Sequence, residues 1–149
     1  MNKIRLTKSF NFEMAHALWN YNGSCRNVHG HSYQLFVTVI GEPVGELNSP
    51  KNGMVIDFSD IKKLVKTQIT DDLDHCFMVS SDADIVQLKK VNQMCGILKI
   101  VDFQPTCENI LLYIADILMP QLKGDIRLFS LKLCETPNSF AEWYADDQN

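Results

Sequence analysis

The sequence predicts an α+β fold in which antiparallel β-hairpins are covered on one face by two main helices, in the order ββααββ. Three observations carry this reading. Residues 3–16 and 31–40 near one end, and 125–135 and 141–145 near the other, either alternate apolar and polar side chains or concentrate β-branched and aromatic ones. Two stretches between them carry apolar residues at helical spacing instead. The length of 149 residues, 46% hydrophobic and 21% charged, suits a single domain over residues 1–149 with a genuine core.

Each element follows from its residues. In the first strand, Phe10, Phe12, Met14 and His16 share a face at period two. Residues 17–28 read as a loop, with Asn20, Asn22, Gly23 and Ser24 as turn formers. The run HSYQLFVTVI (31–40) is a strand by composition. Residues 41–53 hold Gly and Pro breakers and a turn. Ser59 is placed to cap a helix striped by Ile61, Leu64, Val65 and Ile69, which is expected to fray before Leu73. A short helix is expected over 84–90 and a strand over 97–102. Thr106 then stands at an N-cap after Pro105; Ile110, Leu111, Ile114, Ile117 and Leu118 form the second stripe, and Pro120 stops it. In the last hairpin Arg127, Phe129, Leu131, Leu133 and Glu135 share a face. A small sheet of this kind leaves edges to protect, which predicts oligomerisation.

Composition narrows the partners. The net charge is −4 and no Lys/Arg run stands out, so no nucleic-acid partner is expected. Residues 1–10 alternate charged and apolar side chains and lack the apolar core of a secretory signal. The longest apolar stretches are interrupted well short of a membrane span, so no membrane partner is expected. Five cysteines, Cys25, Cys76, Cys95, Cys107 and Cys134, are odd in number, widely spaced and without a CxxC pair. That argues against a disulfide framework or zinc ribbon and for a reducing cytoplasm.

The most informative residues are the four histidines. In Cys25-Arg-Asn-Val-His29-Gly30-His31, two imidazoles at i and i+2 on a strand point to one face and make a bidentate metal platform. His16 ends the preceding strand, where an antiparallel partner brings it alongside. Three neutral imidazoles with an open fourth position are the catalytic type of zinc site. An HxH pair alone is more often two satisfied histidines; the third histidine and nearby cysteine reverse that balance. Cys25 is either a fourth ligand closing a structural site or a free thiol that acts as base or nucleophile. Asp74-His75 places a carboxylate beside an imidazole it can orient. Glu135 is either a solvated strand end or a bidentate acceptor for an N–H/NH2 edge. Pro105-Thr106-Cys107-Glu108-Asn109 is either plain helix capping or a ligand contact at a helix N-terminus. A non-catalytic zinc-stabilised module and a zinc hydrolase are the competing classes; the latter wants a Glu base as in HExxH, a pattern absent here.

Together FNFEMAH (10–16), CRNVHGHSY (25–33), GMVIDF (53–58), LDH (73–75), PTCEN (105–109) and ETPNSFAEWY (135–144) resemble the 6-pyruvoyl-tetrahydropterin synthase superfamily, in its order and over nearly the whole chain. The resemblance implies the tunnelling fold or T-fold, a homo-oligomer (usually a hexamer) with sites between subunits, and a pterin as substrate. It implies Zn2+ at His16, His29 and His31, proton transfer by Cys25, Asp74 and His75, and Glu135 as pterin anchor. Thr106, Cys107 and Glu108 are implied pterin contacts. The short Cys25–His29 spacing and the ending resemble the bacterial 6-carboxy-5,6,7,8-tetrahydropterin synthases of queuosine biosynthesis. That group is a lyase acting on 7,8-dihydroneopterin triphosphate with release of acetaldehyde and triphosphate. The pyruvoyl-forming branch eliminates triphosphate without C–C cleavage. The segment 76–104 is longer than in compact members.

Overall fold

The structure, a computed structural model, describes residues 2–148 apart from the side chains of Ile85 and Cys95. Two long strands, β1 (Ile4–Ala17) and β2 (His29–Gly41), form an antiparallel hairpin. After a loop comes α1 (Phe58–Val65), continued by a π-helical turn (Lys66–Thr70) and a last α turn (Asp71–Leu73). Then follow β3 (Phe77–Ser80), α2 (Ile85–Cys95), β4 (Leu98–Val101) and α3 (Cys107–Leu118). The last hairpin is β5 (Arg127–Thr136) and β6 (Ser139–Tyr144). The strands form one sheet in the order β4-β3-β1-β2-β5-β6.

The core lies on one face of this sheet. Phe12, Met14, Tyr33, Leu35, Leu131 and Leu133 meet Ile61, Val65 and Ile69 of the first helix and Ile110 and Ile114 of α3. Both main helices therefore cover the same face, as expected. On the other face Ala17, Phe77 and Val79 pack with Ala83 and with Leu88 of α2 in a smaller cluster.

Local chemistry departs from the sequence expectations at four places. Asp57, not Ser59, caps α1: its carboxylate accepts from the Ser59 N–H at 2.7 Å. Both residues are capping types, and the carboxylate reaches the orphan donor two residues on. The helix does not fray before Leu73. Ile61, Val65, Ile69 and Leu73 are all buried at a four-residue spacing, which overshoots an ordinary α turn by roughly 40° per step. The wider π turn brings the stripe back into line. Residues 77–80 form a strand that the ββααββ order omitted, and β3 pairs in parallel with both β1 and β4. All four of its residues are buried, so it carries no alternation to read. Finally, a register slip opposite Thr38 and Val39 leaves Phe129 as an extra residue. Leu128 is buried in its place, and the shared face begins only at Leu131.

Ile114 and Leu112 test the face assignment of α3. Ile114 is buried and Leu112 is exposed. Ile114→Ala is expected to lower unfolding stability by about 2–5 kcal/mol. Leu112→Ala is expected to stay within about 0.5 kcal/mol. Urea denaturation followed by circular dichroism reads both; equal losses contradict the packing.

Candidate active site

Three histidines converge through strand register. His16 lies opposite His29 in the β1–β2 ladder, and His31 lies opposite Met14. Alternation then turns all three rings to the helix-covered face. Their ligand nitrogens lie within 4.8 Å of one another, and His16 Nε2 and His29 Nε2 are 3.1 Å apart.

Two of the rings are locked through their other nitrogen. A carbonyl can only accept, so His16 Nδ1–H donates to the Pro105 oxygen at 2.7 Å and His29 Nδ1–H donates to the Asn27 oxygen at 2.8 Å. In neutral imidazoles this leaves both Nε2 atoms as bare lone pairs facing each other. Such lone pairs repel, and a cation between them converts repulsion into coordination. Zn–N bonds of about 2.0–2.1 Å set tetrahedral ligands about 3.3 Å apart, near the observed spacing. The donor set and its carbonyl partners therefore fit a metal ion. Burial lowers the His16 pKa; the Pro105 hydrogen bond and Glu135 oppose that shift, and the His29 and His31 rings add to it. The ring is thus biased to the neutral, ligating form.

Glu135 reaches this cluster from β5. A register slip between Cys134 and Thr136 leaves it outside the β5–β6 ladder, and such a bulge re-aims a side chain. Its Oε1 lies 3.9 Å from His16 Nε2 and 3.5 Å from the Tyr33 hydroxyl. Tyr33 is buried and stacks on Phe12. Burial first, and Glu135 second, push its pKa well up, so the phenol stays protonated and donates towards the carboxylate. Tyr33 was missed in the reading of the sequence. Its signal was present: it follows His31 by two residues on the same strand face.

Thr106 caps α3, accepting from the Asn109 N–H at 3.3 Å. The adjacent Pro105 carbonyl is the one that holds His16. Cys107 is buried, with its thiol donating to the Leu133 oxygen at 3.4 Å. Burial, and then Glu135, push that thiol up to about 12, so it stays protonated near neutral pH. Glu108 is exposed in the first turn of α3. Cys25 is half-buried on a single 3-10 turn, Ser24–Arg26, in the loop closing β1 to β2.

Asp74 and His75 stand apart from the triad. The peptide of Glu13 clamps them: its N–H donates to Asp74 Oδ1 at 2.8 Å, and its oxygen accepts from the His75 N–H at 2.6 Å. His75 is held at φ 62°, and its Nε2 is 3.7 Å from Asp74 Oδ2. The largely exposed ring lines a cleft of about 340 Å³ with Glu13, Ala15, Gly30 and Ser32, and with His31 at its border with the cluster. By alternation those four belong to the sheet face opposite the histidine cluster. One chain thus groups His16, His29, His31 and Glu135, and sets Asp74-His75 on the other face.

A curled sheet with its two main helices on one face and a three-histidine cluster at its strand ends defines a T-fold protein with a candidate metal centre. The chain belongs to the 6-pyruvoyl tetrahydropterin synthase family, which matches residues 5–146. It is 36% identical to a 6-carboxy-5,6,7,8-tetrahydropterin synthase of Haemophilus influenzae, over 94% of this chain and 98% of that one. In structure it is similar to an uncharacterised protein of Wolinella succinogenes, with a TM-score of 0.81, 21% identity, and 97% and 99% of the two chains covered. It is also similar to the 6-pyruvoyl tetrahydropterin synthase of Caenorhabditis elegans, with a TM-score of 0.69, 24% identity and 97% of each chain covered. Among the described residues no helix is long and apolar enough to cross a membrane.

The cluster makes a direct prediction. Metal analysis of the purified protein is expected to find about one transition-metal ion per chain, and His29→Ala or His31→Ala is expected to lose it. Full occupancy in both variants would sink the assignment.

Proposed function

We propose that the chain converts 7,8-dihydroneopterin triphosphate, with uptake of water, to 6-carboxy-5,6,7,8-tetrahydropterin, acetaldehyde and triphosphate. The observation that carries this reading is the Glu135 carboxylate, 3.9 Å from His16 Nε2 at the rim of the histidine cluster. A pterin presents neighbouring ring N–H and NH2 donors, and a carboxylate accepts both as a bidentate pair. Anchored there, the substrate lays its three-carbon side chain across the histidines. The name of the Haemophilus influenzae relative supports the carboxy-forming branch.

The residues divide the work. Zn2+ held by His16, His29 and His31 would supply Lewis acidity at the side-chain oxygens. Cys25 is the base that removes a proton from the substrate side chain. His75, oriented by Asp74, relays a second proton. Thr106, Cys107 and Glu108 border the pterin at the start of α3; with the Cys107 thiol turned to Leu133, its contact runs through the backbone.

A second copy of the chain completes this set. Among the described residues no hydrogen bond or ring contact joins Asp74-His75 to its own histidine cluster, so a neighbouring copy delivers the pair. The sheet has edges for such assembly: the outer side of β6, and β1 before Ala15, since β3 pairs only with Ala15–Ala17. The assembly is a homo-oligomer, a hexamer by resemblance. Its setting is the cytoplasm, where the unpaired Cys25, Cys76, Cys107 and Cys134 stay reduced.

Incubation with 7,8-dihydroneopterin triphosphate is expected to yield acetaldehyde, read with coupled alcohol dehydrogenase, in step with triphosphate. Triphosphate without acetaldehyde would place the chain in the pyruvoyl-forming branch.

Sharing of the site predicts complementation. Cys25→Ala and His75→Ala proteins are each expected to keep their metal and lose turnover. Mixed, dissociated and reassembled in equal amounts, they are expected to recover about a quarter of wild-type activity, since random assortment restores about one site in four. No recovery in verified mixed oligomers would rule out a site shared between copies.

A further inference from the structure

The loop that closes β1 to β2 carries a feature the pterin chemistry does not use. Leu18, Trp19, Asn20, Tyr21 and Arg26 line a cleft of about 280 Å³. The loop around it is well tied. Trp19 N–H donates to Gln104 Oε1 at 2.9 Å, Gln104 Nε2 donates back to the Trp19 oxygen at 2.6 Å, and Leu18 N–H donates to the Cys25 oxygen at 2.9 Å. The Tyr21 ring lies over Gly23, where any side chain would collide with it. Asn20 holds φ 59° to turn the chain between the two aromatics.

Arg26 is the cation of this cleft, and its setting is unlike that of most others in the chain. Lys51, Lys66, Lys99 and Arg127 are paired with carboxylates. Arg5, Lys8 and Lys132 lie over aromatic rings. Among the described residues Arg26 has no partner of either kind. The other unpaired cations lie at the start of β1, on α1 and α2, or beyond α3. Arg26 adjoins Cys25 and leads directly into His29. In a protein of net charge −4, a guanidinium left free beside a reaction centre is a strong local attraction for an anion.

The loop is tied to the histidine cluster at two points. The Asn27 oxygen, one residue from Arg26, holds His29, and Gln104, which holds Trp19, precedes Pro105, whose oxygen holds His16. The substrate carries its three-carbon side chain between a pterin ring and a triphosphate. With the ring at Glu135 and the side chain over the histidines, the free cation within reach of the outgoing triphosphate is the one on this tethered loop. We infer that the Trp19–Tyr21–Arg26 cleft is the triphosphate subsite, with the Arg26 guanidinium as its principal anion contact. This rests on the pterin reading given above. Arg presents a planar fork of donors that matches phosphate oxygens, and Tyr21 offers a hydroxyl donor on the same wall. The subsite holds the leaving group while Cys25, one residue away, acts on the side chain.

The test is equilibrium binding to the metal-loaded full chain, with three probes: 7,8-dihydroneopterin triphosphate, inorganic triphosphate and unphosphorylated 7,8-dihydroneopterin. Arg26→Ala is expected to weaken both phosphorylated probes at least tenfold and to leave dihydroneopterin within twofold. Arg26→Lys is expected to recover part of the loss, and either variant carries the test if the other folds poorly. Triphosphate affinity unchanged in Arg26→Ala overturns the subsite, and so does an equal loss for all three probes, which marks a collapsed loop. Arg26-dependent binding of inorganic triphosphate by a wild-type protein that ignores dihydroneopterin keeps the oligophosphate subsite and overturns the pterin reading instead.

Discussion

The antiparallel register of β1 against β2 is the constraint on which the rest of the molecule depends. It sets Phe12 against Tyr33, Met14 against His31 and His16 against His29. A slip of one residue would carry His16 to the opposite face and turn Phe12 and Met14 out of the core. The register is therefore held by the same burial that stabilises the sheet, with Phe12, Tyr33 and Leu35 almost wholly removed from water. At about 25 cal/mol per Å² of apolar surface, a few such residues outweigh any slipped pairing. The histidine cluster is the polar end of a hydrophobic stripe, and its geometry is inherited from that stripe.

Desolvation then sets the chemistry of the cluster. Among the described residues every buried side-chain polar atom has a partner, as low-dielectric surroundings require. His16 and Tyr33 are both driven towards their neutral forms by burial. A neutral imidazole keeps a lone pair for a metal, and a neutral phenol keeps a proton to donate. The carbonyls of Asn27 and Pro105 orient the rings. They come from the loop closing β1 to β2 and from the turn entering α3, so distant segments meet at one cluster.

The segment between the Asp74-His75 pair and Pro105 arranges this meeting. It folds as a β-α-β crossover that adds β3 and β4 beside β1. Its entry puts His75 in a left-handed conformation, which costs of order 1–3 kcal/mol in a non-glycine residue. The two hydrogen bonds to the Glu13 peptide offset that strain. Its exit delivers Gln104 to the Trp19 loop and Pro105 to His16. One segment thus holds the Asp74-His75 pair at its entry and supplies the histidine cluster with Pro105 at its exit.

The sequence by itself determined the elements whose signals are local. Alternation set β1 with His16 on its apolar face, composition set β2, and the Thr106 cap with its stripe set α3. The pairing of His29 with His31 followed from period two. The tertiary structure decided what depends on distant partners. The FMVS strand could not be read because a short, fully buried run looks the same in a helix or a sheet. The bulge at Phe129 and the π turn after Val65 are compromises between local periodicity and a core already fixed elsewhere. Tyr33 was on the correct face in the sequence, but its contact with Glu135 needed β5 to lie beside β2. Asp74 and His75 were adjacent in sequence to each other alone. Their separation from the histidine cluster follows from parallel pairing of β3 with β1, a long-range contact that leaves no local periodicity to read.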